Sequence, residues 1–263
     1  MRRFALLLTT LAATLVVAAP ASAIQSIQKG DVTVKPNIAG TKAKPQAVSI
    51  SVHAYFDDIS PDLGREVQFA TVRGDVFFPK EGLTNNKLFP GCDASTIFQD
   101  EKQCPADSKI GTGTARGIGL GLDEQVTLTA FNLPGGKGGA VLVVGESPLI
   151  IREVVVANLK TLTNDPLYKY QLTFDVPRNL QSPAPGVIAA VKDFRLSIPA
   201  KYLKKKGKFV KKKNGQRIPY IATTGCATGK WSGKAVLQYT TTFDGAIESS
   251  QTIDVSVPCK KRK

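Results

Sequence analysis

Apolar and polar residues alternate along several stretches of this chain, and a period of two is the side-chain period of a β-strand. The clearest case lies between residues 46 and 56, where serines and His53 separate five apolar residues that would share one face: Val48, Ile50, Val52, Ala54 and Phe56. A strand with one apolar face and one polar face is half-buried, so this stretch predicts a sheet that covers a core.

The alternation returns often enough to predict the fold class. It recurs at residues 168–176, 194–198 and 253–257. Other apolar runs predict strands at residues 67–78, 125–131, 187–191, 217–222 and 231–243, and two buried strands within 140–159. Helical patterning is confined to residues 93–101 and 60–65. We therefore expect an all-β protein with little helix, built as an antiparallel β-sandwich of the jelly-roll-like or immunoglobulin-like kind.

Residues 1–23 have the pattern of a secretory signal peptide. Two arginines precede an uninterrupted apolar run, and a small-residue triplet ends at Ala23. Residues 24–263 are then expected to form a single β-sandwich domain, with a subdivision near residue 199 as the alternative. Without the signal peptide, which holds two arginines and no acid, the formal charge falls from +14 to +12.

The most apolar stretch after the signal peptide, residues 140–159, does not suit a membrane span. It contains Glu146, Pro148 and Arg152, and a charge at a bilayer centre costs several kcal/mol. We therefore expect no transmembrane segment after signal cleavage. The expected location is outside the cell, either secreted or loosely associated with the cell envelope.

Four cysteines in an exported chain predict two disulfide bonds, with three pairings open. We expect Cys92 to pair with Cys104 and Cys226 with Cys259, because each pair brackets one short unit of sequence. The alternative is a four-thiolate zinc site, but the chain has no C-x-x-C pair to begin one. The sequence therefore predicts disulfides, with no metal and no cofactor.

Two motifs flank the first cysteine pair. Residues 89–92 read F-P-x-C, and residues 104–115 read C-P-x-x-S-K-x-G-x-G-x-A. With the end piece from Cys226 through Gly-Lys-Trp and Asp-Gly to Cys259, the chain resembles a group of uncharacterised exported actinobacterial proteins. The resemblance spans most of the chain after the signal peptide and supports the cysteine pairing and export. It implies no activity.

The distinctive residues of these motifs have a structural interpretation. Gly111 and Gly113 are expected to relieve backbone crowding where the first cysteine loop enters a strand. Trp231 is expected to be a core anchor beside the second disulfide.

Four stretches that imitate chemical sites fail on spacing or context. The glycines of residues 111–117 are out of register for a dinucleotide fingerprint, and residues 225–231 are one residue short of a phosphate loop. Residues 145–149 imitate a nucleophile elbow but lack its final glycine. The acidic residues 57–66 have no glycine at the sixth position and no glutamate at the twelfth position of a calcium loop, so a polar turn is favoured over calcium binding. We therefore predict no catalytic and no metal site.

The strongest unusual feature is a basic segment, residues 201–217, which holds eight lysines, one arginine and no acid. Together with the four cations of residues 260–263 it accounts for the whole positive excess of the chain without its signal peptide. Asn214-Gly215 predicts a turn, so the segment is expected to be an exposed hairpin or long loop. The cations expected to bind a polyanion are Lys204, Lys205, Lys206, Lys208, Lys211, Lys212, Lys213 and Arg217.

A concentrated run of cations on a nearly neutral body attracts polyanions through Coulomb attraction and counterion release. Outside a cell, the expected partners are anionic wall polymers or lipid headgroups, and nucleic acid is not expected. The interpretation left open is a solvated loop whose lysines protect a strand edge. We thus expect a secreted, non-catalytic protein that associates with the envelope electrostatically. The alternative is a carbohydrate-binding module or hydrolase with a site on the sandwich face.

Overall fold

The structure is a computed structural model and describes residues 28–56, 69–119 and 121–261. In these ranges the strands are β1 (Gln28–Lys35), β2 (Gln46–Ala47), β3 (Ser49–Phe56), β4 (Ala70–Pro79), β5 (Gly82–Thr84), β6 (Lys109–Gly119), β7 (Leu122–Asn132), β8 (Gly138–Gly145), β9 (Ile151–Thr161), β10 (Tyr168–Asp175), β11 (Ala190–Ile198), β12 (Lys204–Lys205), β13 (Lys208–Phe209), β14 (Ile221–Thr223), β15 (Lys230–Thr240) and β16 (Ser249–Pro258). The helices are α1 (Ala94–Asp100) and α2 (Arg178–Gln181), with 3-10 turns at Asn86–Leu88, Glu101–Gln103, Ala106–Ser108 and Pro134–Gly136.

The all-β class with little helix is confirmed, and α1 lies where a short helix is predicted. The signal peptide predicted for residues 1–23, the helical turn predicted for 60–65 and the acidic turn of 57–66 lie outside the described residues.

Eleven strands form one continuous sheet in the order β1-β3-β11-β6-β7-β8-β9-β10-β4-β15-β16. Every ladder in it is antiparallel, for example Thr114 of β6 opposite Thr127 of β7. The sheet is barrel-like, whereas the sequence suggested a two-sheet sandwich. The reason is that the strands continue pairing with one another around the sheet and do not divide into two facing layers.

The two edge strands of the large sheet, β1 and β16, meet. The backbone N–H of Gln28 donates to Oε1 of Gln251 at 2.8 Å, and Nε2 of Gln251 donates to the carbonyl of Gln28 at 2.7 Å. At the far end of the same strands, the N–H of Ala39 donates to the carbonyl of Lys260 at 2.8 Å. The seam is therefore closed by side-chain bonds at one end and by backbone bonds at the other.

Apolar residues from neighbouring strands fill the inside of the sheet. Leu128 and Val126 of β7 are buried against Val143 of β8, with Phe194 of β11 packed beside them. The outer face of β8 and β9 is also covered, because Ile97 of α1 packs on it. Both faces of these central strands are thus protected, which explains the near-continuous apolar sequence of β8.

Two disulfides join the cysteines in the predicted pairing. Cys92 bonds to Cys104 with their Cα atoms 5.4 Å apart, and Cys226 bonds to Cys259 with their Cα atoms 6.0 Å apart. Trp231 is buried against the second bond, and its indole N–H donates to the carbonyl of Gly225 at 2.8 Å. The expected core anchor is therefore in place.

Strand register assigns each connection to one end of the barrel. Gly119 pairs with Leu122, Gly145 with Ile151, and Tyr239 with Ser249, so the β6–β7, β8–β9 and β15–β16 connections share one end. We call the other end of the barrel the basic end. It holds the β7–β8 and β9–β10 connections, residues 36–45 and residues 199–229.

A buried polar cluster ties the basic end together around Asn132, which has no exposed surface. Its Nδ2 donates to the carbonyls of Asn86, Phe89 and Pro90 at 3.1, 3.3 and 3.0 Å. The hydroxyl of Tyr220 donates to its Oδ1 at 3.0 Å. One side chain thereby connects β7, the loop before the first disulfide and the chain that follows the basic segment.

Candidate polyanion-binding surface

The backbone of the basic segment makes two consecutive tight turns. Lys206 and Gly207, with φ of 48° and 76°, connect β12 to β13 as a two-residue hairpin. Asn214 and Gly215 form the second turn, below which Lys211 pairs with Arg217. The predicted Asn-Gly turn is therefore present. The turn at Lys206-Gly207, which lies eight residues earlier, was not predicted.

The basic segment is not a free arm, because its apolar residues enter the core. Leu203 is buried, Ile218, just after the segment, is buried beside it, and Val210 packs against both. Their backbones are linked as well, since the N–H of Leu203 donates to the carbonyl of Ile218 at 2.8 Å and the N–H of Val210 to that of Leu203 at 2.9 Å. These residues close the basic end of the barrel and hold the cations above it.

Residues on both sides of position 199 belong to this same apolar cluster. Leu196 and Ile198 of β11 pack with Leu203 and Ile218.

Lys201 is set apart from the other lysines of the segment. Its Nζ donates to the carbonyls of Asp107 and Lys109 at 2.6 and 2.8 Å, and it lies 3.6 Å from the carboxylate of Asp107. Burial lowers the pKa of this ammonium, and the charge of Asp107 opposes that shift. Lys201 therefore fastens the segment to the loop before β6 and is not offered to a ligand.

The remaining cations of the segment all face solvent. The sequence-predicted residues are each exposed: Lys204, Lys205, Lys206, Lys208, Lys211, Lys212, Lys213 and Arg217. In the part of the chain that the structure describes, none of them forms an ion pair with an acidic group. The chain has no acidic residue between Asp193 and Asp244, so no close neighbour in sequence supplies one.

The fold adds cations that the sequence did not connect to the segment. Lys42 and Lys44 lie in the connection after β1, Lys87 in the 3-10 turn Asn86–Leu88, and Lys137 in the β7–β8 connection. Register places the first and last of these connections at the basic end, and the N–H of Asn85, which donates to the carbonyl of Tyr220 at 2.9 Å, places the turn there as well. They are scattered along the chain, so no window of sequence could have grouped them.

The opposite end of the barrel differs in charge. Its described connections carry Glu146, Asp244 and Glu248 and a single cation, Arg178. Among the described connections, the positive charge is therefore concentrated at the basic end, where the acids Glu81, Asp107 and Asp165 are outnumbered by the cations.

His53, the one histidine of the chain, lies on the outer face of β3. Its Nε2 is 2.7 Å from Oδ2 of Asp193, whose Oδ1 accepts from Nε of Arg195 at 2.8 Å. The Arg195 hydrogen bond, with a smaller contribution from His53, lowers the pKa of Asp193 to about 2, and partial burial opposes this. Nearby, Ser51 and Ser197 bond to each other at 3.0 Å. These side-chain contacts connect β3 to β11.

Asp193→Asn is expected to remove a pH-dependent part of the stability. The folded pKa of Asp193 lies below its ordinary value of 3.8, so its carboxylate stabilises the fold fully above pH 3.8 and loses that contribution as the pH falls through about 2. We expect the variant to be less stable by about 1 kcal/mol at neutral pH, after allowing for solvent screening, and the difference to vanish below pH ~2. Urea unfolding across this range measures the difference. A constant difference at all pH values would contradict the assignment.

The motifs that imitate chemical sites lie in strands and turns of the barrel. Gly111 and Gly113 lie within β6 against the backbone of β11, residues 145–149 form the β8–β9 turn, and Gly229 turns the chain into β15 with a φ of 77°. In the described residues, no group of three or more His, Cys, Asp or Glu side chains is placed to share a metal ion.

A shallow groove of about 540 Å³ runs along β1 and the end of β16. Its lining consists of residues 32–37, Val257 and Pro258. It contains neither an aromatic ring nor a carboxylate, the features that a sugar-binding or hydrolytic groove would offer. No helix within the described ranges is long and apolar enough to cross a membrane.

Comparison of the chain with protein-family models, with curated proteins and with solved structures finds no match.

Proposed function

We propose that the chain is an exported, non-catalytic all-β protein that associates with anionic polymers or lipid headgroups of the cell envelope. One observation carries the proposal: eight exposed cations, which have no acidic partner among the described residues, stand on a segment that the core holds in place. An anchored segment loses less conformational entropy on binding than a free arm does, so more of the Coulomb attraction remains as affinity. The additional lysines at the basic end enlarge the attractive field.

The test compares retention of the protein on anionic and neutral surfaces. Vesicles with phosphatidylglycerol, vesicles of phosphatidylcholine alone and cell-wall preparations are sedimented with the full chain over a range of salt. We expect retention on the anionic surfaces, a linear fall of log affinity with log salt, and no retention on phosphatidylcholine.

The decisive variant changes Lys204, Lys205, Lys206, Lys208, Lys211, Lys212 and Lys213 to Gln. We expect its affinity for anionic surfaces to fall by about a hundredfold or more at low salt. The matched control changes the same seven residues to Arg, which keeps the charge and is expected to keep the binding. Unchanged retention of the Gln variant would exclude the proposal. Salt-independent binding to a neutral polysaccharide would favour the alternative carbohydrate-binding function.

A further inference from the structure

The basic segment contains a cluster of two aromatic rings and two cations. Phe209 is 40% exposed, and the guanidinium carbon of Arg217 lies 4.1 Å from its ring centroid. Nζ of Lys204 lies 5.1 Å from the same centroid. Tyr202 meets Phe209 edge-to-face with centroids 6.1 Å apart, and Arg217 lies 5.9 Å from the Tyr202 ring. Two cations and two rings therefore share one small area.

Backbone pairing, and not side-chain contact alone, brings this cluster together. Lys204 pairs with Phe209 in the β12–β13 hairpin, and Arg217 returns to the same place because it pairs with Lys211 below the second turn. Tyr202 pairs with Pro219, and the buried Leu203 and Ile218 lie next to these positions. The backbone thus places Arg217 beside Phe209 without the help of a ligand.

Stacking leaves the hydrogen-bonding edge of Arg217 available. A guanidinium lying over a ring uses its face for the cation–π contact, and its N–H donors point outward in the plane of the group. Within the described residues, Arg217 has no carboxylate partner and no side-chain hydrogen bond. The exposed Arg217 therefore keeps its N–H donors available to a ligand, next to Lys204.

We propose that Arg217, held by Phe209 and Tyr202, makes the basic segment selective for phosphate groups over carboxylates; this rests on the proposed function. The oxygens of a carboxylate accept hydrogen bonds mainly in the plane of the group, which is also the plane of a bidentate Arg fork. The unbridged oxygens of a phosphate group are arranged tetrahedrally, so a phosphate that accepts the Arg217 fork still accepts from an ammonium, such as that of Lys204, that approaches from outside that plane. The phosphate belongs either to a lipid headgroup or to a phosphate-bearing polymer.

Arg217→Lys tests the proposal, because it keeps the charge and removes the fork. Affinities of the full chain for inorganic polyphosphate and for polyglutamate are measured by calorimetric titration at ~0.15 M salt. We expect the variant to lose about tenfold on polyphosphate and less than about twofold on polyglutamate. Phe209→Leu keeps every charge and is expected to show the same selective loss. Lys212→Gln, outside the cluster, is expected to weaken both ligands equally.

The outcomes separate the two proposals. Equal losses on both polymers, or no loss, for Arg217→Lys would overturn phosphate selectivity while general polyanion binding still stands. Failure of the unmodified chain to bind either polymer would overturn the proposed function itself. Phosphatidylglycerol vesicles, titrated in parallel, distinguish a lipid phosphate from a polymer phosphate. If the ligand is a lipid headgroup, Arg217→Lys lowers the affinity for vesicles more than the affinity for soluble polyphosphate. Thermal unfolding of each variant verifies that the fold is kept.

Discussion

Gly113→Ala is expected to destabilise the protein by about 3 kcal/mol or more, although it adds a single methyl group. A Cβ at this position would lie 1.9 Å from the carbonyl oxygen of Arg195, well inside van der Waals contact. That oxygen belongs to the backbone of β11, the neighbouring strand, so it cannot move aside as the end of a side chain could. Chemical unfolding followed by far-ultraviolet circular dichroism measures the loss.

Gly117 provides the matched control for this substitution. It lies on the same strand and faces the same neighbour, but its added Cβ would be 3.5 Å from the nearest atom, the carbonyl oxygen of Ala190. Gly117→Ala is therefore expected to change the free energy of unfolding by less than about 1 kcal/mol. A slight gain is expected, because alanine loses less backbone conformational entropy on folding than glycine does. Equal losses at the two positions would show that β6 and β11 do not approach each other as described.

Asn132→Ala is expected to cost about 3–5 kcal/mol of unfolding free energy. The substitution leaves the carbonyls of Asn86, Phe89 and Pro90 without their shared donor and the Tyr220 hydroxyl without its acceptor. The site has no exposed surface, so water does not replace these bonds without a rearrangement of the loop. Denaturant unfolding quantifies the loss, and amide hydrogen exchange locates it in residues 85–93.

Tyr220→Phe separates the contributions within this cluster. It removes the single bond to Oδ1 of Asn132 and keeps the ring that packs edge-to-face on Phe89. We expect a loss of about 1–2 kcal/mol, which is smaller than that of Asn132→Ala because the three carbonyls keep their donor. A loss as large as that of Asn132→Ala would assign the stability to the tyrosine hydroxyl instead.

Period-two alternation is sufficient to predict the all-β fold class, because a half-buried strand requires alternating apolar and polar residues. It was strongest for β3 and β10, whose inner faces are apolar at nearly every second residue. It was weak for β6, because Gly111 and Gly113 stand where apolar residues would mark a face. The close approach of β11 explains those glycines, and that approach is a property of the assembled sheet.

The architecture depends on pairings that periodicity does not encode. Whether sheets divide into two layers or curl into one depends on which strands become neighbours, and β4 pairs with β15 across more than 150 residues. The disulfide pairing could be predicted, since each bond closes a short loop. The candidate site was predicted as a run of lysines, but its anchoring was not, because Val210 between two lysine runs gives no sign that it packs inward.

The seam between β1 and β16 sets an order of events for folding. The strand at residues 249–258 supplies the last edge of the sheet, and Cys259 beside it completes the second disulfide. A nascent chain that has not yet reached these residues lacks Gln251 and Lys260, the partners to which the backbone N–H groups of Gln28 and Ala39 donate across the seam. Closure of the barrel therefore follows synthesis of β16, and until then the outer edges of β1 and β15 have no neighbouring strand.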